Sequence, residues 1–117
     1  MKKKATREPA GRCHEWAGRY MLRKGTSGTR LIHGMVTGLE GRRIHHWWIE
    51  EGFKVFDPTL QWLQDGWFQK DEYYKSISAE PLEVYTKSET MFLTLSTGHY
   101  GPWTSRERNA LKGKIFF

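Results

Sequence analysis

Cys13, His46 and Asp57 are the residues of this sequence whose types and order could do chemistry together. A carboxylate can hold an imidazole ring and fix its tautomer, and an imidazole held in this way can take the proton of a thiol. The thiolate that results attacks carbonyl carbon atoms. The three residues would therefore form a cysteine nucleophile with its base and its orienting acid, provided that the fold brings them together.

Two apolar segments are expected to bring His46 and Asp57 together. Residues 44–50 and 53–57 are rich in aromatic and β-branched side chains, which indicates two strands, and the break Glu51-Gly52 suits a two-residue hairpin turn. If Glu50 faces Phe53 across this turn, every pair of opposed residues has numbers that add to 103. The numbers 46 and 57 also add to 103. The two side chains would then be direct cross-strand neighbours, with Cβ atoms about 4.5–5.5 Å apart.

A helix in the first part of the chain is expected to deliver the thiol. Apolar residues recur there at helical spacing, which predicts a helix over 12–24. At the start of a helix, the dipole and the free amides lower the pKa of a thiol and can stabilise an oxyanion. We expect Cys13 to approach the face of the hairpin that carries His46 and Asp57. His45 should point to the other face, because neighbours on a strand alternate.

The elements around these residues indicate an α+β fold in one domain. A further strand is predicted over 30–37, so that the first half of the chain runs helix, strand, strand, strand with short connections. We therefore predict an N-terminal helix that bears the cysteine and packs on a small antiparallel sheet. At 117 residues the whole chain, 1–117, is expected to form a single domain, with 1–11 as a loose leader.

The second half of the chain carries weaker patterns. Residues 60–74 are aromatic and mixed and are predicted to hold one short helix, and 81–85 could form a strand. Thr86-Lys87-Ser88-Glu89 matches a capping box and predicts a helix that closes near Gly98. The stretch after Gly101-Pro102 carries no strong signal.

Composition and charge limit the expected partners and compartment. A single cysteine excludes an internal disulfide and predicts a reduced, cytoplasmic protein. No window approaches the roughly 18 apolar residues of a membrane-spanning helix. The net charge of +6 is concentrated near the ends, in 2–7 and 106–114, and favours acidic partners or nucleic acid. No cofactor and no membrane contact are expected, and the sequence predicts no particular oligomeric state.

The hairpin segments also carry a family motif. His46-Trp47-Trp48-Ile49-Glu50, followed by Phe56-Asp57-Pro58-Thr59, resembles the His-x-Trp-x-Glu and Asp-Pro-Thr signature of the transglutaminase-like branch of the papain-like cysteine enzymes. The resemblance covers about residues 11–60 and implies a minimal version of that fold. Two positions depart from the family: Trp47 stands where a small residue is usual, and the tryptophan expected just after the cysteine is displaced to Trp16.

The resemblance implies a role for each residue of the triad. Cys13 would be the nucleophile, His46 the general base and Asp57 the acid that orients the ring. The implied function is that of a thiol hydrolase or acyl transferase acting on an amide or peptide bond through a thioester, as a protease, deamidase or amide transferase. A protein or peptide is the expected substrate. The backbone amide of Cys13 is the expected oxyanion donor, and Gln61 is a candidate second donor because it follows Asp57 closely in sequence.

Two other interpretations of the sequence are open. Cys13, His33, His45 and His46 are residue types that bind zinc, although adjacent histidines on a strand point apart. A non-catalytic basic module on the same fold could use aromatic side chains beside lysines and arginines to bind protein or nucleic acid. The reactivity of the thiol separates the enzyme from the binding module.

Overall fold

The structure of the chain is a computed structural model, and it describes residues 13–38, 41–60, 66–111 and 115–116. It has the predicted α+β class, with an N-terminal helix that starts at Cys13 and a small antiparallel sheet. The elements are α1 Cys13–Lys24, β1 Thr29–Thr37, β2 Arg43–Glu51, β3 Lys54–Phe56, a 3₁₀ helix Pro58–Leu60, β4 Phe68–Gln69, α2 Lys70–Ile77, β5 Glu80–Tyr85, α3 Lys87–Thr97, α4 Ser105–Leu111 and β6 Ile115–Phe116.

The sheet has the strand order β4-β3-β2-β1-β5, and neighbouring strands in this order run antiparallel. β1 and β2 form the longest pair, from Thr29 opposite Glu51 to Thr37 opposite Arg43. The short strand β6 adds a parallel pair beside the first residues of β2. The predicted run of helix, strand, strand, strand is confirmed, and β5 returns to the other edge of β1.

Alternating side chains divide the sheet into two buried faces. Odd-numbered residues of β1 and β2, such as Leu31 and Trp47, pack against α1 and α3 on what we call the α1 face. Even-numbered residues, such as Ile32 and Trp48, pack against α2 on the α2 face. Because both faces are buried, β2 is apolar along most of its length rather than alternating between apolar and polar residues.

The hairpin between β2 and β3 has a different register from the one predicted. Its pairs, such as Ile49 opposite Phe56, have numbers that add to 105 rather than 103. The turn is Gly52-Phe53, with a φ of +60° at Gly52 and an exposed Phe53 side chain. Glycine at the first central position is typical of a type II′ turn, whereas the prediction placed it second, as in type I′. A shift of two residues leaves each side chain on its predicted face.

The elements of the second half are close to the expected ones. The short helix predicted within 60–74 begins later, at Lys70. The capping box is confirmed, because the Thr86 hydroxyl accepts from the Glu89 amide at 3.1 Å and the Glu89 carboxylate accepts from the Thr86 amide at 2.8 Å. Gly98 closes α3 with a φ of +81°. None of the described helices is long and apolar enough to cross a membrane.

Candidate active site

The arrangement of strands around β2 leaves part of one edge open. β1 covers one edge along its whole length, whereas on the other edge β3 pairs with residues 49–51 and β6 with residues 44–45. In the described part of the chain, no strand pairs with residues 46–48 on that second edge. The chain leaving β3 continues there through Asp57 and the 3₁₀ helix, and α1 contacts both β2 and this 3₁₀ helix.

His46 and Asp57 are in direct contact at this open edge. Nε2 of His46 lies 2.6 Å from Oδ2 of Asp57, and both side chains are buried. In the observed register Asp57 follows β3 at the position opposite Trp48, so His46 is its diagonal neighbour on the α2 face. Long side chains can bridge such a diagonal. The prediction of directly opposed residues is therefore wrong, although the two side chains meet.

Neighbouring groups hold both oxygens of the Asp57 carboxylate. Oδ1 accepts hydrogen bonds from the backbone amide and the hydroxyl of Thr59, at 3.1 and 2.8 Å. Oδ2 accepts one from the Tyr73 hydroxyl at 2.6 Å, beside its contact with His46. Burial alone would raise the pKa of Asp57, but the charge of His46 and these hydrogen bonds lower it below its ordinary value. The carboxylate therefore stays ionised and fixed against the imidazole.

Cys13 is the first residue of α1, and its thiol interacts with the His46 ring. The side chain is 1% exposed, and its interaction with the imidazole helps to raise the pKa of His46. Because Nε2 of His46 faces Asp57, Nδ1 is the ring nitrogen that can exchange a proton with the sulfur. Burial alone would lower the pKa of His46, but the charge and hydrogen bond of Asp57, followed by Cys13, raise it to about 10. The imidazolium, which stabilises a neighbouring thiolate, is therefore favoured at neutral pH.

The thiol meets His46 at the open edge of β2. Cys13 packs with Trp47 and Ile49 on the α1 face, whereas His46 belongs to the α2 face. α1 therefore packs on the opposite face of the sheet from His46. Cys13 interacts with the ring at the edge of β2, where no strand in the described part of the chain pairs with residues 46–48. His45 points away from His46, as predicted, because the two residues alternate on β2.

His45 belongs to a second buried network, the His33 cluster, which consists of His33, His45, Tyr85 and Glu107. Nε2 of His33 lies 2.8 Å from Nδ1 of His45, and Nδ1 of His33 lies 2.5 Å from Oε2 of Glu107. The Tyr85 hydroxyl donates to Oε1 of Glu107 at 2.6 Å. The His33 ring also stacks on Trp47, with ring centroids 3.7 Å apart. This network lies on the α1 face, on the other side of the sheet from His46.

Glu107 of the His33 cluster also caps α4, a helix that was not predicted. The Thr104 hydroxyl accepts from the Glu107 amide at 3.0 Å, and the Glu107 carboxylate accepts from the Thr104 amide at 2.9 Å. This is a capping box, and the Thr-x-x-Glu spacing that identified α3 could have identified α4 as well. Burial alone would raise the pKa of Glu107, but hydrogen bonds from His33, Tyr85 and backbone amides lower it to about 2.

The rest of the His-x-Trp-x-Glu motif is anchored on the α2 face. Trp48 Nε1 donates a hydrogen bond to Glu50 at 3.0 Å. The Tyr74 hydroxyl donates to the same carboxylate, and Lys70 Nζ forms an ion pair with it at 3.1 Å. Because strand residues alternate, the spacing of the motif places His46, Trp48 and Glu50 on one side of β2. Trp48 and Glu50 therefore support the strand that carries the imidazole.

Thr59 and Tyr73 were not among the predicted site residues. A local signal exists for Thr59, because an aspartate commonly accepts a hydrogen bond from the backbone two residues on, as Asp57 does here. Tyr73 comes from α2 and meets Asp57 only through the tertiary fold. No pattern within α2 could have identified it.

The described residues contain no group of three or more His, Cys, Asp or Glu side chains arranged to hold a metal ion. Of the four residues considered as zinc ligands, His33 and His45 contact each other on one face of the sheet, while Cys13 and His46 meet at its open edge. Gln61 and the predicted leader 1–11 lie outside the described residues.

Comparison with known proteins does not assign the chain to a family. No protein-family model, no curated protein and no solved structure matches it. Its function is therefore inferred from the chemistry of its own residues.

Proposed function

We propose that the chain is a cysteine-dependent hydrolase or acyl transferase that acts on an amide or peptide bond. Cys13 is the nucleophile, His46 the general base and Asp57 the acid that orients the base. The observation that carries the proposal is the position of the His46 ring, between the Asp57 carboxylate at 2.6 Å and the Cys13 thiol. An orienting carboxylate, an imidazole base and a thiol in this order of contact are an established way to activate a cysteine nucleophile.

The first half of the reaction forms a thioester. His46 takes the thiol proton, the sulfur of Cys13 bonds to the carbonyl carbon, and the C=O electron pair moves to the oxygen. The backbone amide of Cys13 lies at the start of α1, where it can donate to the oxyanion. When the C=O bond re-forms, the C–N bond breaks and His46 gives its proton to the leaving amine.

The second half releases the acyl group. Water or a second amine attacks the thioester carbon while His46 takes the proton of the attacking group. The C–S bond then breaks, and the proton returns to the sulfur of Cys13. Water gives hydrolysis, and an amine gives acyl transfer. Asp57 holds the Nε2 side of the ring throughout, which keeps Nδ1 toward the sulfur.

The proposal extends to membership of the transglutaminase-like branch of the papain-like enzymes, in a minimal form. Three features support it: the chain order Cys, His, Asp, a cysteine at the start of a helix, and an antiparallel strand pair with the histidine on one strand and the aspartate directly after the other. Thr59 of the Asp-Pro-Thr motif adds a further reason, because it binds the carboxylate that the motif supplies. A single cysteine, which can form no internal disulfide, fits a reducing compartment, and we propose the cytoplasm as the location.

Alkylation of the thiol tests the proposal without a known substrate. At pH 6.5 a free thiol of pKa about 8.5 is only about 1% thiolate. We expect native Cys13 to react with iodoacetamide about tenfold faster than glutathione at this pH, because the imidazolium of His46 stabilises the thiolate. Since the chain has a single cysteine, intact-mass spectrometry follows the reaction at one site.

Two neighbouring substitutions provide the control. His46→Gln should remove most of the rate advantage, while His45→Gln, one residue away in the His33 cluster, should retain it. A native rate no higher than that of glutathione, or a His46→Gln variant that reacts like the native chain, would contradict the catalytic role and favour a non-catalytic binding module.

A further inference from the structure

A cavity of about 450 Å³ lies between α1 and the end of β3, beside the candidate active site. Its aromatic walls are Trp16, Tyr20 and Phe56. The rings of Tyr20 and Phe56 are stacked with centroids 4.5 Å apart, and Trp16 is 43% exposed. A cavity of this volume, with mixed aromatic and polar walls, falls within the range of ligand sites, about 300–1,000 Å³.

The polar wall of the cavity is predominantly cationic. Arg19, Arg23 and Lys24 line it together with one acid, Glu15, which forms an ion pair with Arg19 at 2.8 Å. Within the part of the chain that the structure describes, no carboxylate pairs with Arg23 or Lys24. The cavity thus offers two cations for an anionic group that the described part of the chain does not supply.

The cavity adjoins the residues proposed for catalysis. Pro58, which lines it, directly follows Asp57, and Trp16 lies about one helical turn after Cys13. Arg23 is ten residues further along α1 than Cys13, which corresponds to about 15 Å along the helix axis. An extended peptide covers this distance with roughly four or five residues.

We propose that this cavity binds an acidic segment of a peptide or protein substrate, roughly four residues from the bond that Cys13 attacks. The inference rests on the proposed function, which identifies the substrate as an acyl compound with amide bonds. Glu15 favours a peptide over a nucleic acid, because its carboxylate can accept a peptide N–H. A phosphodiester backbone has no such donor.

Binding to the full chain carrying Cys13→Ser tests the proposal separately from catalysis. The probes are acetyl-Phe-Glu-Glu-Gly-amide, its Gln-Gln analogue and its Lys-Lys analogue, titrated against the indole N–H signal of Trp16 in heteronuclear NMR spectra. The Trp16 signal is assigned by its loss in Trp16→Phe. We expect the Glu-Glu peptide to bind about tenfold more tightly than the Gln-Gln peptide, with an affinity that falls as salt is added.

A double variant that removes two positive charges and a matched control decide the outcome. Arg23→Gln with Lys24→Gln should abolish the preference for the Glu-Glu peptide, whereas Arg106→Gln, an exposed arginine on α4, should leave it unchanged. Equal affinities for the three peptides overturn the proposal, as does a preference that survives in the double variant or is lost in Arg106→Gln. Tighter binding of tetrathymidylate than of the Glu-Glu peptide overturns it in favour of a nucleic-acid ligand. Failure of the alkylation test would overturn the catalytic role without changing these affinities.

Discussion

His45 and His46 are consecutive residues of β2, yet each belongs to a buried network with its own carboxylate and its own tyrosine. His46 contacts Asp57, which also binds Tyr73. His45 contacts His33, and through it Glu107, which also binds Tyr85. A strand with both faces buried can thus place two similar polar networks back to back. The presence of a buried histidine and carboxylate does not by itself identify a catalytic site.

The difference between the two networks lies in the other groups around each imidazole. His46 lies at the open edge of β2 and interacts with a thiol at the start of α1. His33, between His45 and Glu107, has both ring nitrogens engaged in the network, and Glu107 in turn closes the start of α4. We infer that the first network is arranged to take a proton from a nucleophile, whereas the second attaches α4 to the sheet.

The largest expected effect is on the reactivity of the Cys13 thiol. It should arise from substitutions in the His46 network and not from those in the His33 cluster. Asp57→Asn should lower the rate at which p-nitrophenyl acetate acylates Cys13 by about 100-fold or more, because the amide favours the wrong tautomer of His46. Release of p-nitrophenol measures the rate. Glu107→Gln, the equivalent change in the His33 cluster, should alter it less than threefold. Equal losses in the two variants would remove the distinction between the networks.

The second prediction concerns stability, for which the larger effect is expected in the His33 cluster. Glu107→Ala leaves the buried side chains of His33 and Tyr85, and the partly buried amide of Thr104, without their acceptor, so we expect the free energy of unfolding to fall by about 3 kcal/mol. Urea denaturation followed by tryptophan fluorescence measures it. Glu89→Ala disrupts the exposed capping box of α3 and should cost only about 1 kcal/mol. If both variants lose the same amount, Glu107 acts only as a helix cap.

His46 and Glu107, one residue from each network, should respond to opposite ends of the pH range. The pKa of His46 is raised to about 10, so its stabilising contribution is complete below its ordinary value of 6.5 and is lost as the pH rises toward 10. The pKa of Glu107 is lowered to about 2, so its contribution is complete above its ordinary value of 4.5 and is lost as the pH falls toward 2. Asp57, whose pKa is also lowered, adds to the acid loss.

Unfolding free energies between pH 3 and pH 10 test this contrast. His46→Gln should flatten the alkaline side of the profile by about 2 kcal/mol, and Glu107→Gln should flatten only the acid side by a similar amount. An alkaline side that is unchanged in His46→Gln would mean that the imidazolium does not stabilise the fold.

The contact between His46 and Asp57 could be predicted from the sequence because it requires only that both side chains lie on the same face of the sheet. Their faces follow from the alternation of residues along β2 and β3, and a register error of two residues preserves it. The error arose at Gly52, whose position in the turn distinguishes type I′ from type II′. The approach of Cys13 to these side chains was expected, but its route was not predictable, because it depends on where β3 and β6 end along the edge of β2.

The His33 cluster shows the other limit of prediction. Thr104 and Glu107 are three residues apart, and their capping box could have been identified from spacing alone. The contact of Glu107 with His33 joins residues 74 positions apart, and no local pattern indicates that a capping glutamate is buried against a distant histidine. Contacts between residues close in sequence could therefore be predicted in both networks. The long-range contacts that give each network its role could not.

The smallest expected effect comes from a matched pair of hydroxyl groups. Tyr73 and Tyr85 are both buried and each donates to its carboxylate at 2.6 Å, so Tyr73→Phe and Tyr85→Phe each remove one donor with little change of shape. Each variant should lose about 1 kcal/mol of unfolding free energy. Only Tyr73→Phe should also slow the acylation of Cys13, by about threefold, because Asp57 then holds His46 less firmly. Parallel urea denaturation and p-nitrophenol release on both variants separate the two effects. If Tyr85→Phe slows acylation as much as Tyr73→Phe does, the two networks are coupled through the sheet and the division between a reactive and a structural histidine fails.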